Sequence, residues 1–198
     1  MKVDQGLPEI PDRGIITIRE EDGDMKIPMA LIFADIYAKE REITLNIITS
    51  RSKEAVSGDM DLYDLPDIKK SDILNSWEPV DLRSLLSSDL NIIENFSLLF
   101  AETGFNEMLD FFRFTESLKM EGRLIIILHN PSVFDKKQNF LVDSFSDGIL
   151  HLTTSYEGSR ARRNMKIIRL AGAFPFDRIV TYNINSDGFV VDTRERHG

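Results

Sequence analysis

Apolar positions along this chain fall alternately in short continuous runs and at helical spacing. "GIITI" (14–18) and "ITLNIIT" (43–49) are rich in β-branched residues and predict strands. Between them, residues 27–39 set Ile27, Leu31, Ala34 and Ala38 on one helical stripe. Residues 50–76 are polar and irregular. "SGD" (57–59) and "LPD" (65–67) are turn signals there, and one helix at most is expected, near 67–75. "PVDL" (79–82) predicts a short strand, "RSLLSS" (83–88) a helical turn, and "LNIIENF" (90–96) a buried strand. Residues 105–120 carry the strongest helical period, with Phe105, Met108, Leu109 and Phe112 at i, i+3, i+4 and i+7. Phe111 and Phe114 fall off that stripe. Core contact is the expectation for these aromatics, with one of the two a candidate for an exposed contact. "GRLIIILHN" (122–130) is continuously apolar, as in a parallel-sheet strand covered on both faces. Residues 134–143 predict a helix and "GILHLTT" (148–154) a strand.

The pattern then changes. Residues 149–172 read as two strands joined by a Gly-containing turn, and "IVTYNINSDGFVVDT" (179–193) as a second hairpin with "SDG" (186–188) at its tip. A parallel βαβ core followed by an antiparallel tail, with no clear linker, predicts one domain over residues 1–198. A length of 198 residues suffices for a sizeable core. The chain has no cysteine, which excludes disulfides, thiolate metal sites and thiol nucleophiles. The N-terminal "MKVDQGLPEIPDRG" lacks an apolar signal-peptide region, and "LIIIL" (124–128) is far too short to cross a bilayer. A cytoplasmic location without membrane insertion is expected. A net charge of −9 opposes non-specific binding to nucleic acid or anionic lipid.

The stretch "EEDGDMK" (20–26) lies between the first strand and the first helix. Strand, short loop with glycine, lysine, helix is the layout of a phosphate-binding loop, yet this one has a single glycine and four carboxylates. The order of elements and five further strings resemble the KaiC-like branch of the RecA-type ATPases, nearest to the RecA-like ATPase of the archaellum motor. "LNIIENFS" (90–97) is similar to the Walker B strand. "RLIIILHNPSVFD" (123–135) is similar to the following strand with its polar end, and "FSDGILHL" (145–152) to the strand after it. "MKIIRLAGA" (165–173) resembles the strand carrying Lys-x-Arg-Gly, and "YNINSDGFVVD" (182–192) the closing hairpin. The resemblance spans about residues 8–192. It implies an α/β fold with a RecA-like P-loop NTPase core, a mainly parallel sheet flanked by helices, and antiparallel hairpins at the C-terminus.

It also implies a loop G-x-x-x-x-G-K-[ST], in which glycines let N–H groups close on phosphates and the hydroxyl holds Mg²⁺. Aligned on Lys26, the glycines are replaced by Glu20 and Met25 and the hydroxyl by Ile27. Met25 does not readily take a glycine conformation, Ile27 offers no oxygen, and Pro28 has no N–H. Glu20, Glu21, Asp22 and Asp24 oppose a single Lys26. One carboxylate ~6 Å from a phosphate charge costs about 3 kcal/mol at an effective dielectric of about 20. The loop is a phosphate loop that has lost its function, an acidic solvated turn or a working loop; the first two readings exclude ordinary ATP binding.

Glu94 stands at the Walker B position, where a carboxylate could hold Mg²⁺ through water or simply be satisfied by neighbouring N–H groups. Glu54 is the one distant candidate for a catalytic glutamate. His129 and Asn130 occupy the sensor-like strand end; a lone histidine there reads more simply as a hydrogen-bonded strand end. Aligned on Gly172, Arg169 falls at the Lys and Ala171 at the Arg of the trans-acting finger, whose tip is therefore missing. Arg160, Arg162, Arg163 and Lys166 form a basic patch, either an interaction surface or a charged edge strand that resists aggregation.

The first functional expectation is an inactive, pseudo-ATPase RecA/KaiC-like domain without cofactor or metal, acting on a protein partner or by self-association as a regulatory or scaffold subunit. The alternatives are a weak nucleotide-binding KaiC-like ATPase of a motility or signalling complex, and a nucleic-acid-associated module, which the acidity disfavours. The resemblance suggests an archaeal setting.

Overall fold

The computed structural model describes residues 1–2, 7–23, 25–39, 41–176, 178–185 and 188–191. Asp24 and the hairpin-tip residues Ser186 and Asp187 lie outside these. Strand β1 (Gly14–Arg19) leads to helix α1 (Lys26–Lys39), then β2 (Leu45–Thr49), α2 (Lys53–Leu62) and β3 (Asp72–Asn75). Next come the short α3 (Leu82–Leu85), β4 (Leu90–Ile93), the single turn α4 (Phe96–Leu99), α5 (Phe105–Met120), β5 (Leu124–His129) and α6 (Lys136–Phe145). The tail is β6 (Gly148–Glu157), β7 (Arg160–Leu170), β8 (Ile179–Asn185) and β9 (Gly188–Val191).

All nine strands join one sheet in the order β3-β2-β4-β5-β1-β6-β7-β8-β9. β1 to β6 are parallel to their neighbours within the set; β6 to β9 run antiparallel. Alternation sorts the side chains. Ile16, Ile18, Ile47, Ile92 and Ile126 pack with α1 and α2 on one face. Ile15, Ile48, Ile93, Ile125 and Ile127 pack with α5 and α6 on the other. Because both faces are covered, the central strands carry no polar stripe, which is why they read as continuous apolar runs.

Four expectations are corrected. Residues 57–59 are not a turn but part of α2, which is N-capped by Ser52 and buries Val56 and Met60 one turn apart; tertiary contact outweighs the local turn signal. Residues 72–75 are an edge strand paired to β2, not a helix. Residues 79–81 form a 3₁₀ turn instead of a strand, with Pro79 at its start. The buried residues of α5 are Met108, Phe111, Phe112, Thr115 and Leu118, so the contact stripe is rotated from the one expected and Phe105 is exposed. α1 is buried almost all round from Pro28 to Ala34, because the sheet covers one side and Phe189 of β9 reaches Phe33 on another.

Candidate functional site

The C-terminal ends of β1, β2, β4 and β5 bring together the loop 20–26, Thr49–Arg51, Glu94 and His129–Asn130. In a doubly covered parallel sheet this end is where ligands bind.

Glu20 is wholly buried (0% exposed). Its Oε2 accepts the backbone N–H of Met25 at 2.9 Å and of Lys26 at 3.2 Å. These N–H groups open α1 and sit at the positive end of its dipole, where a phosphate would be held. Gly23 adopts φ +137°, and a Cβ there would lie 2.4 Å from Glu20 Oε1, so the loop closes round the carboxylate only with glycine at this position. Glu20 therefore turns its carboxyl into the cradle and is not one of a set of solvated side chains. Glu21 and Asp22 are exposed. Met25 and Ile27 are half-buried against the α1-side core, so both serve packing where the implied loop needs a glycine and a hydroxyl.

The Walker B-like position is likewise occupied from within. The Glu94 side chain, 7% exposed, accepts hydrogen bonds from the Thr49 hydroxyl and the Arg51 guanidinium. Arg51 also donates to Asp59 at 2.7 Å. Burial works against the Arg51 charge, but the hydrogen bonds from Glu94 and Asp59 outweigh it and hold the guanidinium above its ordinary pKa. A side-chain cation thus lies where a metal would neutralise Glu94. Among the described residues, no His/Asp/Glu cluster is arranged to hold a metal ion. Glu54 is exposed on the first turn of α2, its carboxyl held below the usual range by a hydrogen bond from its own backbone N–H and one from Ser52.

His129 is fully buried. Ser97 Oγ accepts the N–H of Asn130 at 2.7 Å and lies 2.9 Å from His129 Nδ1; His129 Nε2 lies 2.7 Å from Asn139 Oδ1. The Asn139 amide donates to the carbonyls of Pro131 and Phe134, so its Oδ1 must be the acceptor and Nε2 carries the proton. Nδ1 then accepts from Ser97. Burial pushes His129 down to about 4, reinforced by the charges of Arg19 and Lys26, against the pull of Asn139 and Asp143. A histidine neutral at pH 7 with both nitrogens engaged is not a base available to a substrate. Asn130 is also spoken for: its Nδ2 donates to Glu21 O and its Oδ1 accepts from Ser132 N–H.

The remaining candidates lie elsewhere. Arg169 and Ala171 sit beyond the opposite, N-terminal ends of the parallel strands. Arg169 donates to the carbonyls of Asp143 and Ser146, closing the C-terminus of α6 of its own chain. Ala171 N–H bonds to Asp147 O. The basic patch is divided by strand alternation. Arg160, Arg162 and Lys166 share the sheet face that carries His151 and Thr181, whereas Arg163 shares the other with Tyr182. β8 pairs with β7 from Arg163 to Lys166, and Arg160 and Arg162 lie beyond that pairing. Arg51, Thr49, Ser97 and Asn139 were not singled out by sequence, because each acts on a partner between 10 and 45 positions away.

No protein-family model matches the chain, and no curated protein matches it. Solved structures do. The flagellar accessory protein FlaH of Methanocaldococcus jannaschii superposes with a TM-score of 0.79 at 14% identity, over 92% of this chain and 91% of that one. The fold is RecA-like, of the KaiC type. A KaiC-like protein of Pyrococcus horikoshii, PH0186, superposes with a TM-score of 0.75 at 13% identity, over the same shares of each chain. The RecA-like core, the mostly parallel sheet and the antiparallel tail implied by the sequence are thus all present. Among the described residues, no helix is long and apolar enough to cross a membrane.

Proposed function

We propose that this chain is a catalytically inactive RecA/KaiC-like domain that works by binding protein, as a regulatory or scaffold subunit in the cytoplasm. The observation that carries this reading is the carboxylate of Glu20 bonded to the Met25 and Lys26 N–H groups. A nucleotide phosphate would have to displace a tethered, buried anion and then accept its charge nearby. Two further features support the reading. Arg51 neutralises Glu94, and Arg169, at the finger-like position, is bound within its own chain. One structural neighbour is by its name a flagellar accessory protein, which supports work within a larger complex, and the archaeal origin of another supports an archaeal source.

The test is thermal unfolding with and without Mg-ATP. A ligand at 100 times its dissociation constant stabilises by about 2.7 kcal/mol, so binding is plain to see. No shift is expected with millimolar nucleotide. A shift abolished by Lys26→Ala would replace this reading with that of a weak nucleotide-binding protein.

A further inference from the structure

We infer that the groove between the first turn of α5 and the exposed side of α6 docks an acidic protein segment bearing an aromatic or large aliphatic anchor. The inference gives the protein-binding role proposed above a surface. It lies on the α5/α6 face of the sheet, across from α1, so peptide binding and nucleotide binding can fail separately.

The groove, about 480 Å³, is lined by Phe105, Lys136, Lys137 and Phe140. α6 buries Gln138, Leu141 and Val142 and turns Phe140 outward, 68% exposed; Phe105 is 41% exposed. Two solvated phenyl rings facing one cleft are costly unless something covers them. The charge is as informative. The first turn of α6 holds Lys136 and Lys137, and the carboxylate beside them, Asp135, is taken up as the N-cap by the Gln138 N–H. Neither lysine makes an ion pair with a described residue. Glu107, in the first turn of α5, lines a different groove with Pro79, Val80 and Arg83. In a chain of net charge −9, a cleft with two phenyls and two unpaired lysines is complementary to carboxylates flanking an apolar side chain.

The walls are held in place before any partner arrives. Gln138 Nε2 donates to the carbonyls of Phe100 and Thr103, each at 3.3 Å. Asp135 and Gln138 also form a reciprocal capping box at the start of α6. The loop ahead of Phe105 is thereby tied to the turn that presents Lys136 and Lys137. Such preorganisation lowers the ordering cost of binding.

The test is fluorescence anisotropy with a labelled synthetic peptide in which a central Phe-Leu pair is flanked by Asp and Glu. Controls are the same peptide with Ala for Phe-Leu, the same with Ser for Asp and Glu, and a single-stranded oligonucleotide. The acidic aromatic peptide should bind and weaken with rising salt. The paired Lys136→Glu and Lys137→Glu substitutions and, independently, Phe140→Ser should each weaken it about tenfold or more. Both alterations are at exposed side chains, and circular dichroism verifies that the fold is kept. The inference is overturned if the peptide fails to bind at about 1 mM, well above the dissociation constant of a hot-spot contact. It is equally overturned if either variant binds like the wild type, if the Ala or Ser peptide binds as tightly, or if the oligonucleotide displaces the peptide. Loss of peptide binding in dimers formed by the chain itself would assign the groove to a second copy instead.

Discussion

Replacing Glu20 by alanine empties the anion cradle and leaves the N–H groups of Met25 and Lys26 without their acceptor. Two hydrogen bonds to a charged acceptor contribute about 1.5–3 kcal/mol each. Water entering the vacated space returns part of this, so the expected net loss is about 3 kcal/mol. For a chain of this size that lowers the melting temperature by roughly 6–12 °C. The cradle would then accept a free anion. Inorganic phosphate at 100 times its dissociation constant should restore about 2.7 kcal/mol to the variant beyond any gain of the wild type, nearly the whole loss. The assay is urea unfolding of both proteins in phosphate against chloride at matched ionic strength, with the wild type measuring the general stabilisation that phosphate gives by exclusion from the surface. A loss smaller than about 1 kcal/mol, or equal stabilisation of both proteins by phosphate, would refute the assignment of Glu20 as the resident anion.

Gly23→Ala should cost about 2 kcal/mol through positive φ and the Cβ–carboxylate clash. Calorimetry on the Glu20→Ala background should show a smaller cost, since the clash partner is gone. Arg51→Ala leaves the buried Glu94 carboxylate, among the described residues, with the Thr49 hydroxyl as its side-chain partner and should lose about 3 kcal/mol in urea unfolding, whereas Glu94→Gln, which retains an acceptor, should lose less. His129 sets a pH dependence. The unfolded side chain takes up a proton near 6.5, but the folded one only near 4. Stability is therefore at its full value above about pH 6.5 and falls by about 3 kcal/mol as pH drops towards 4. Urea unfolding across that window should show the slope, and His129→Gln should flatten it.

Much of the fold was legible because strand and helix periods are local. The runs at 14–18 and 124–128 needed only their composition to be placed in a parallel sheet. The misread region was 50–82, where α2 has just two buried positions, Val56 and Met60, and β3 has four residues; neither gives a period long enough to outweigh Gly, Pro and Asp turn signals. At the site, the departure of Met25 and Ile27 from the implied glycine and hydroxyl was legible in the sequence. The contacts made by Glu20, Arg51 and Glu94 were not, because they depend on long-range geometry. Glu20 looks like its neighbours Glu21 and Asp22 in sequence, yet it alone is buried, held by N–H groups that every residue possesses. Arg51 meets Glu94 only because β2 and β4 are neighbours in the sheet.

The most direct test is a two-dimensional amide NMR titration of the wild-type protein with Mg-ATP, following the Met25 and Lys26 resonances. The expected result is that neither moves at millimolar nucleotide, while the resonances of Glu20→Ala do. Saturable shifts of both wild-type amides would mean that the cradle opens to phosphate, contradicting the account of a loop held shut by its own carboxylate.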